Sequence, residues 1–368
     1  MNLDQLQTPC LVLDYAILAG NLKRMSDKMR KHGVALRPHM KTAKSADVAR
    51  LATNGEAGGI TVSTIAEANY FASRGFNDIT LAVGITPEKL NRLSVQISSN
   101  ILLNVITDDV GMARVIAKTR DGIKAFIEID SGESRGGVDP RGDALLEIGR
   151  ALGNKLAGVL THAGHSYDCH AVEEIKQVAE SERAAVTTAA HRLRAEGMRC
   201  DVVSVGSTPS MSHVENMEFV TVARPGVYMF QDLFQAAIES CTRDDIAVTV
   251  LASVINCRPS KNQIVIDAGS LALSKDRSTA ATNRDAGFGL VLDIDGRPSF
   301  GECIIQHAYQ EHGVATSSQP LPFERLKIGT KVRVAPNHSC LTAAAHDRYH
   351  VVHGGREILH EWDRVNGW

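Results

Sequence analysis

The lysine at position 41 is the first residue of the chain whose surroundings suggest covalent chemistry. It follows the short apolar run VALRP (34–38). Because Pro38 disfavours helix in the residue before it, a strand is predicted to end here and to leave Lys41 on the next loop. A lysine amine held in a closed pocket can form a Schiff base with a carbonyl compound. A solvated surface lysine is the alternative that position alone leaves open.

Two later segments gather charged and aromatic side chains. In EIDSGESRGGV (128–138), carboxylates and flexible glycines surround Arg135, a residue type that contacts anionic ligand oxygens. The other segment holds His162, His165 and Tyr167 within seven positions, THAGHSY. An exposed ion-paired loop and a structural histidine are the alternatives, but this clustering favours a binding or catalytic role.

Small and hydroxyl residues follow two further apolar runs. They are Gly206, Ser207 and Thr208 after the first run, and Gly226 and Val227 after the second. A helix that begins in the first segment would direct its backbone N–H groups at an anion, and the hydroxyl groups could add donors. These positions are typical of a phosphate-binding loop, although a plain turn with a helix cap is the alternative.

His338 and Cys340 could share a metal ion. They are two residues apart, and alternate residues of a strand face the same side. A structural zinc site needs four protein ligands, so this pair alone is a weak indication of metal. Two protein ligands completed by water or substrate would describe an open catalytic site.

The elements that must position these residues alternate in type over the first part of the chain. Eight apolar, β-branched runs are separated by amphipathic helical stretches, which predicts parallel strands joined by helices. Eight such strands favour a closed (β/α)8 TIM barrel, an α/β fold in which reactive groups lie on the loops after the strands. The predicted strands are at 34–38, 59–63, 79–83, 101–106, 124–130, 157–162, 202–206 and 219–224.

After about residue 240 the long helical stretches stop. Short apolar runs broken by Gly, Asp and Pro predict a second, mostly antiparallel β-domain. We therefore predict a barrel over residues 12–238. The β-domain is predicted to comprise residues 1–11 and 239–368 and to carry the His338–Cys340 pair.

Composition narrows the class of protein. In 368 residues there are 40 Lys and Arg against 42 Asp and Glu, a formal net charge of −2. A nucleic-acid-binding protein needs a basic face, so no nucleic-acid partner is expected. No apolar stretch is long enough for a membrane span, and no signal peptide precedes residue 10. The seven cysteines are scattered without a CxxC motif, which indicates reduced thiols in the cytoplasm.

Several of these segments together resemble the fold-type III pyridoxal-phosphate enzymes, whose barrel is similar to that of alanine racemase. The likeness extends from TPCLVLD (8–14) to WDRVNGW (362–368). Within that family the chain resembles the branch of D-serine dehydratase and D-threonine aldolase. The motifs that carry the resemblance are RPHMKT (37–42), EIDSGESRGGV (128–138), VSVGSTPS (203–210), RPGVY (224–228) and PNHSC (336–340).

The resemblance implies a role for each candidate residue. Lys41 would form the Schiff base with pyridoxal phosphate, and Arg135 would lie near the phenolic oxygen of the cofactor. His162 and Tyr167 would lie beside its ring. The residues implied to hold the phosphate are Gly206, Ser207, Thr208, Gly226 and Val227. The implied ligands of a divalent metal ion next to the substrate's β-hydroxyl are His338 and Cys340.

Three details favour the dehydratases over the aldolases of this branch. The aldolases carry His-x-Asp at the metal site, a CCQKxxEA stretch and a GGGTGS phosphate loop. This chain instead has His338-Ser339-Cys340, TVSTIAEA (61–68) and GSTP (206–209). Its details match dehydratases of D-serine and D-threo-3-hydroxyaspartate. A thiolate with an imidazole suits Zn2+, with Mn2+, Co2+ or Mg2+ as alternatives.

The resemblance thus implies a lyase that converts a D-3-hydroxy amino acid to a 2-oxo acid and ammonia. D-serine, D-threonine and D-threo-3-hydroxyaspartate all remain open as substrates, and His165 or His312 could contact a second carboxylate. The alternatives are a D-3-hydroxy amino acid aldolase, an amino-acid racemase and a pyridoxal-phosphate carrier without turnover. The family also suggests a homodimer.

Overall fold

The computed structural model of the chain describes residues 1–56, 58–96 and 101–368. The strands of this part of the chain are β1 (Cys10–Asp14), β2 (Ala35–Leu36), β3 (Ile60–Val62), β4 (Asp78–Gly84), β5 (Leu102–Thr107), β6 (Ile123–Glu128), β7 (Leu156–Leu160), β8 (Val202–Val205), β9 (Val222–Ala223), β10 (Val248–Arg258), β11 (Gln263–Ile266), β12 (Gly289–Asp293), β13 (Ile304–Ala308), β14 (Gly313–Thr316), β15 (Lys331–Pro336), β16 (Arg348–Val352) and β17 (His360–Asp363). The helices are α1 (Tyr15–Lys31), α2 (Ala46–Ala52), α3 (Ile65–Ser73), α4 (Pro87–Gln96), α5 (Val110–Ala117), α6 (Asp143–Leu152), α7 (Val172–Ala195), α8 (Thr208–His213), α9 (Leu233–Ala237), α10 (Ser270–Leu273) and α11 (Ser339–Ala344).

These elements form two units. One comprises residues 1–23 and 227–364, and the other residues 24–226 and 365–368. The domain boundaries predicted from the sequence, at residues 12 and 238, differ from these bounds and stay a prediction. Strand β1 pairs within the sheet of the first unit, where Leu11 lies opposite Val250.

The second unit contains eight parallel strands in the order β2-β9-β8-β7-β6-β5-β4-β3. The two ends of this order meet around Thr61. Its N–H donates to the Pro38 carbonyl at 2.9 Å, and its carbonyl accepts from Met40 N at 2.7 Å. The predicted (β/α)8 barrel is thereby confirmed, and each of the eight predicted strands overlaps one observed strand.

Helix α6 shows how the helices pack on the outside of the barrel. Its buried residues are Leu145, Ile148, Gly149 and Leu152, a spacing that places them on one face. A Cβ added at Gly149 would lie 2.7 Å from a methyl group of Leu193 in α7. The glycine therefore permits α6 and α7 to approach closely.

The first unit is built on a nine-stranded sheet in the order β11-β14-β13-β12-β15-β10-β1-β16-β17, in which β11 also pairs with β10. Its pairs are antiparallel except for β1 with β16. The predicted, mostly antiparallel β-domain is confirmed. Among the described residues, no helix has the length and apolar character needed to cross a bilayer.

Candidate active site

A cavity of about 440 Å³ lies at the carboxyl ends of the barrel strands. This is the end at which barrel enzymes carry their active sites. Three of the residues singled out from the sequence line it. They are Lys41, Arg135 and His162. The other lining residues are His39, Ser63, Ala82, Val83, Gly84, Ile106, Asp108, Glu128, Gly136, Leu160 and Arg224.

The turn that carries Lys41 is held by its neighbours. Lys44 N donates to the Met40 carbonyl at 2.7 Å, which closes the turn. The Lys44 ammonium lies 3.2 Å from the fully buried carboxylate of Glu67. That carboxylate also accepts a hydrogen bond from Ser63 N at 2.9 Å. Of the two lysines in this turn, Lys44 is therefore engaged by Glu67, while Lys41 lines the cavity.

His162 is fixed as a neutral imidazole. Its Nδ1 lies 3.0 Å from the Gly206 carbonyl oxygen, which can only accept, so the ring donates from Nδ1. Burial, with the charge of Lys41 nearby, lowers the pKa of His162 to about 3. Burial and Lys41 also lower the pKa of His39 well below its ordinary value. Both imidazoles are therefore neutral at neutral pH, and Nε2 of His162 can accept a hydrogen bond.

The other residues of the histidine cluster occupy the turn beyond His162. The ring of Tyr167 is tilted by 42° to that of His162, with the two centroids 6.5 Å apart. His165 lies in the same short turn, 164–167, and is not among the residues lining the cavity. His312 is exposed between β13 and β14 of the other unit.

Arg135 reaches the cavity from the loop after β6. It is more than half exposed, and its guanidinium lies 3.4 Å from Glu133 and 3.9 Å from Glu128. Burial raises the pKa of Glu128, and the charge of Arg135 opposes that rise. Asp108, which also lines the cavity, accepts from Gly137 N at 2.8 Å. The positive charge of Arg135 is thus accompanied by carboxylates on the same wall.

Arg224 is a cavity residue that was not singled out from the sequence. It is only 4% exposed, and it donates from Nε to Ser204 Oγ at 2.7 Å and from Nη2 to the Thr161 carbonyl. Burial lowers the pKa of Arg224 to about 10, which still leaves it charged at neutral pH. The sequence could have indicated this residue, because Arg224 comes directly after the last predicted barrel strand, where residues of the active site are expected.

The candidate phosphate loop follows β8. Gly206 has φ +141°, and a Cβ there would lie 2.6 Å from Arg224 N, so this close backbone approach requires glycine. Ser207 caps α8, and both Ser207 and Thr208 are buried.

The second candidate phosphate segment follows β9. A Cβ at Gly226 would lie 3.0 Å from the His39 carbonyl. Val227 begins a buried turn, 227–229, that belongs to the other unit.

His338 and Cys340 do not lie on a strand, so the alternation of side chains along a strand is not what brings them together. Strand β15 ends at Pro336, His338 is the N-cap of α11, and Cys340 lies in the first turn of that helix. The helix begins here because Ser339 N donates to the buried carboxylate of Asp232 at 3.0 Å. Such a long-range cap is invisible to a local strand pattern.

His338 and Cys340 nevertheless interact, with a carboxylate behind the imidazole. His338 Nδ1 lies 2.6 Å from Asp276 Oδ2, and Asp276 also accepts from Ser278 N at 2.7 Å. Burial disfavours the charged ring, but hydrogen bonds with Asp276 and Cys340 outweigh it and raise the pKa of His338 to about 11. The hydrogen bond from His338 lowers the pKa of Asp276 to about 2.

A metal ion bound by Nε2 of His338 and the Cys340 sulfur would replace the hydrogen bond between these two side chains. A carboxylate on the other ring nitrogen is usual for a histidine that binds a metal. In the described ranges no group of three or more His, Cys, Asp or Glu is placed to hold a metal. An ion at His338 and Cys340 would keep positions for water or substrate.

Two family models match the chain. The alanine racemase N-terminal domain matches residues 13–233, and the serine dehydratase domain matches residues 247–352. The chain is 39% identical over 377 residues to D-threo-3-hydroxyaspartate dehydratase of Delftia sp. (strain HT23), covering 99% of this chain and 98% of that protein. It is 32% identical over 401 residues to D-serine dehydratase of Dictyostelium discoideum, covering 100% and 98%.

Solved structures of D-threo-3-hydroxyaspartate dehydratase show the same similarity. That of the Delftia sp. HT23 dehydratase superposes with a TM-score of 0.93 at 39% identity and full coverage of both chains. A cysteine-to-alanine mutant of D-threo-3-hydroxyaspartate dehydratase, described as its metal-free form, superposes with a TM-score of 0.92 at 38% identity, again with full coverage of both chains. The chain therefore belongs to the fold-type III family of pyridoxal-phosphate-dependent enzymes, in the branch of lyases that joins an alanine racemase N-terminal domain to a serine dehydratase domain.

Proposed function

We propose that the chain is a dehydratase that converts a D-3-hydroxy amino acid to a 2-oxo acid and ammonia, with pyridoxal phosphate and a divalent metal ion as cofactors. The observation that carries the proposal is the cavity at the carboxyl ends of the barrel strands, lined by Lys41, Arg135 and His162. The similarity to dehydratases of D-threo-3-hydroxyaspartate and D-serine supports it.

The barrel residues fit pyridoxal phosphate. A cavity of about 440 Å³ is within the range of small-molecule sites. Lys41 offers the amine that the cofactor aldehyde needs, Arg135 would lie near the phenolic oxygen, and His162 and Tyr167 would flank the ring. The phosphate would be held by Gly206, Ser207, Thr208, Gly226 and Val227. When bound, the cofactor takes up the negative charge left at the substrate Cα.

The proton transfers fall to Lys41. When it is not joined to the cofactor, the amine of Lys41 would remove the proton from the substrate Cα. His162 stays neutral at the working pH because its pKa is near 3, so it does not compete for that proton. Its ring orientation is set by the hydrogen bond to Gly206.

Two residues of the first unit, which carries the nine-stranded sheet, fit a zinc ion. His338 and Cys340 supply an imidazole and a thiolate, a donor set that zinc favours. Asp276 holds Nδ1 of His338, which directs Nε2 to the ion. When bound, the ion would act as a Lewis acid on the β-hydroxyl, a poor leaving group by itself. Loss of water gives an enamine, and its hydrolysis gives the 2-oxo acid and ammonia.

Product identity tests this proposal. Incubation with D-threonine gives 2-oxobutanoate and ammonia if the chain dehydrates its substrate. Glycine and acetaldehyde would instead indicate an aldolase, and L-allothreonine, the product of inversion at Cα, a racemase; either result would overturn the proposal. Parallel assays with D-serine and D-threo-3-hydroxyaspartate rank the substrates. A chelator should abolish 2-oxo acid formation, and added Zn2+ should restore it.

The substitution Cys340→Ala separates the two cofactors. We expect the variant to lose bound zinc and dehydratase activity while it retains the absorbance of bound pyridoxal phosphate. Cys257→Ala is a matched control, because the Cys257 thiol donates to the Leu326 carbonyl at 2.8 Å and lies far along the chain from the metal pair. Unchanged turnover of the Cys340 variant would remove the metal from the proposed reaction.

A further inference from the structure

A fully buried carboxylate lies behind the candidate phosphate loop. Glu182 of α7 is 0% exposed. Its Oε1 accepts from Gly206 N at 2.8 Å, and its Oε2 accepts from Ser210 Oγ at 2.9 Å. An unpaired carboxylate in such a place would be costly, whereas one that accepts hydrogen bonds on both oxygens is stabilised. Gly206 lies in the loop that follows β8, and Ser210 lies in the first turn of α8. The backbone of Ala163 also donates to this carboxylate.

The hydroxyl groups of Ser207, Ser210 and Ser166, the last in the turn after β7, form a continuous chain that ends at Glu182. The Oγ atoms of Ser207 and Ser210 are 2.8 Å apart, and those of Ser166 and Ser207 are also 2.8 Å apart. Ser207 Oγ further accepts from Ser210 N at 3.2 Å. These contacts link the Ser207 hydroxyl to both of the other serines. The loop is thus held by its contacts with Ser166, Ser210 and Glu182.

The same loop is tied to His162. The Gly206 carbonyl accepts from His162 Nδ1 at 3.0 Å, while the Gly206 N–H donates to Glu182 at 2.8 Å. Gly206 is therefore held at both its N–H and its carbonyl. Glu182 of α7 binds the N–H, and His162, from the loop after β7, binds the carbonyl. A displacement of Glu182 would leave the Gly206 N–H without this acceptor and so loosen the phosphate loop.

We propose that Glu182 is a positioning residue for the cofactor phosphate, acting through its hydrogen bonds to Gly206 and Ser210. This inference rests on the proposed function, since it requires that the loop after β8 hold the phosphate of pyridoxal phosphate. A ligand is bound more tightly when the groups that receive it are already in place, because less order has to be imposed on binding. Glu182 would hold the loop in place before the phosphate binds, without itself contacting the phosphate.

Comparison of pyridoxal phosphate with pyridoxal, which lacks the phosphate, tests the inference. Both dissociation constants are measured by absorbance titration of the cofactor-free, full-length protein. For Glu182→Ala, we expect the affinity for pyridoxal phosphate to fall about tenfold or more, because two buried donors lose their acceptor. The affinity for pyridoxal should stay within about twofold. For Glu182→Gln, both affinities should stay close to wild type, because the amide can accept from Gly206 N and donate to Ser210 Oγ.

Two further variants make the comparison specific. Ser210→Ala removes one of the two links and should weaken only the binding of pyridoxal phosphate, by less than Glu182→Ala does. Thr187→Ala is the matched control, because Thr187 is buried on the same helix and bonds to the Arg183 carbonyl of that helix at 2.9 Å. It should alter neither constant.

The inference would be overturned if Glu182→Ala lost as much affinity for pyridoxal as for pyridoxal phosphate. It would also be overturned if Glu182→Gln lost as much affinity for pyridoxal phosphate as Glu182→Ala does. If Glu182→Ala does not fold, Ser210→Ala decides in its place: an unchanged preference for the phosphorylated compound overturns the inference. A wild-type protein that binds neither compound would refute the proposed function itself.

Discussion

Lys41 and Lys44 lie on one turn but have different surroundings. The Lys44 ammonium is engaged by the buried carboxylate of Glu67, 3.2 Å away. Lys41 lines the cavity. The geometry thus distinguishes two residues that sequence position alone leaves similar.

Replacement of Lys41 by Ala is expected to remove the visible absorbance that a Schiff base between lysine and the cofactor gives. Turnover should fall by about 10²–10⁴-fold or more, because a general base is lost together with the covalent link. Lys44→Met is the control and should keep the absorbance. Survival of the band in the Lys41 variant would show that another amine carries the cofactor.

Asp276 is expected to set the metal affinity through His338. Asp276→Ala leaves Nδ1 of His338 without its carboxylate partner, and loss of such a partner usually weakens metal binding by about 10–100-fold. Asp276→Asn should recover part of this loss, since the amide oxygen can still accept from Nδ1. Competition with a chelator of known affinity measures the effect. Asp347→Asn, an exposed carboxylate beside Arg348, is the control. Equal zinc affinities for Asp276→Ala and wild type would contradict the assignment.

At the scale of elements, the barrel strands could be predicted because strands buried on both faces appear as short continuous apolar runs. The segment at His338 could not, because its conformation depends on distant residues. Asp232 caps α11, and the buried amide of Asn337 donates to the Gly287 carbonyl at 2.8 Å. The buried Arg224 was also missed, because its partners Ser204 and Thr161 come together only when β7, β8 and β9 are adjacent.

Gly158 makes the packing of β7 against β8 testable. A Cβ at this position would lie 1.9 Å from the Val202 carbonyl oxygen, so Gly158→Ala must push the two strands apart. Overpacking of this kind costs about 1–3 kcal/mol, and we expect at least the upper end because the obstacle is backbone. Urea denaturation measures the loss. Gly355→Ala, with no atom within 4 Å of the added Cβ, should change the free energy of unfolding by less than about 0.5 kcal/mol. A similar small change for Gly158→Ala would show that β7 and β8 can separate at low cost.

At the scale of the whole chain, the two units carry chemically distinct candidate sites. A substitution in one site should therefore abolish binding of the metal or of the cofactor without abolishing binding of the other. The cofactor residues other than Val227 belong to residues 24–226, and the metal pair belongs to residues 227–364. The motifs that predicted the family are distributed over both units, which is why the resemblance identified a two-domain enzyme. The preferred substrate side chain could not be predicted, because it depends on contacts among loops distant in sequence.

The neutral state of His162 predicts how stability depends on pH. Its pKa is about 3 in the folded chain, against an ordinary value near 6.5, so below pH 6.5 the unfolded chain binds a proton that the folded chain does not. The free energy of unfolding therefore falls as the pH is lowered from about 6.5 towards 3. Each pKa unit corresponds to about 1.4 kcal/mol, which gives a loss of about 2 kcal/mol between pH 6.5 and pH 5 from this residue.

His162→Asn isolates this contribution, because its side-chain amide can still donate to the Gly206 carbonyl but does not titrate. Urea denaturation at pH 7 and pH 5, without added cofactor, should show a fall that is smaller by about 2 kcal/mol in the variant than in wild type. The remaining fall would include His39, whose pKa is lowered in the same direction by burial. If variant and wild type lose the same free energy, His162 is protonated in the folded chain, and it would then place a positive charge beside Lys41.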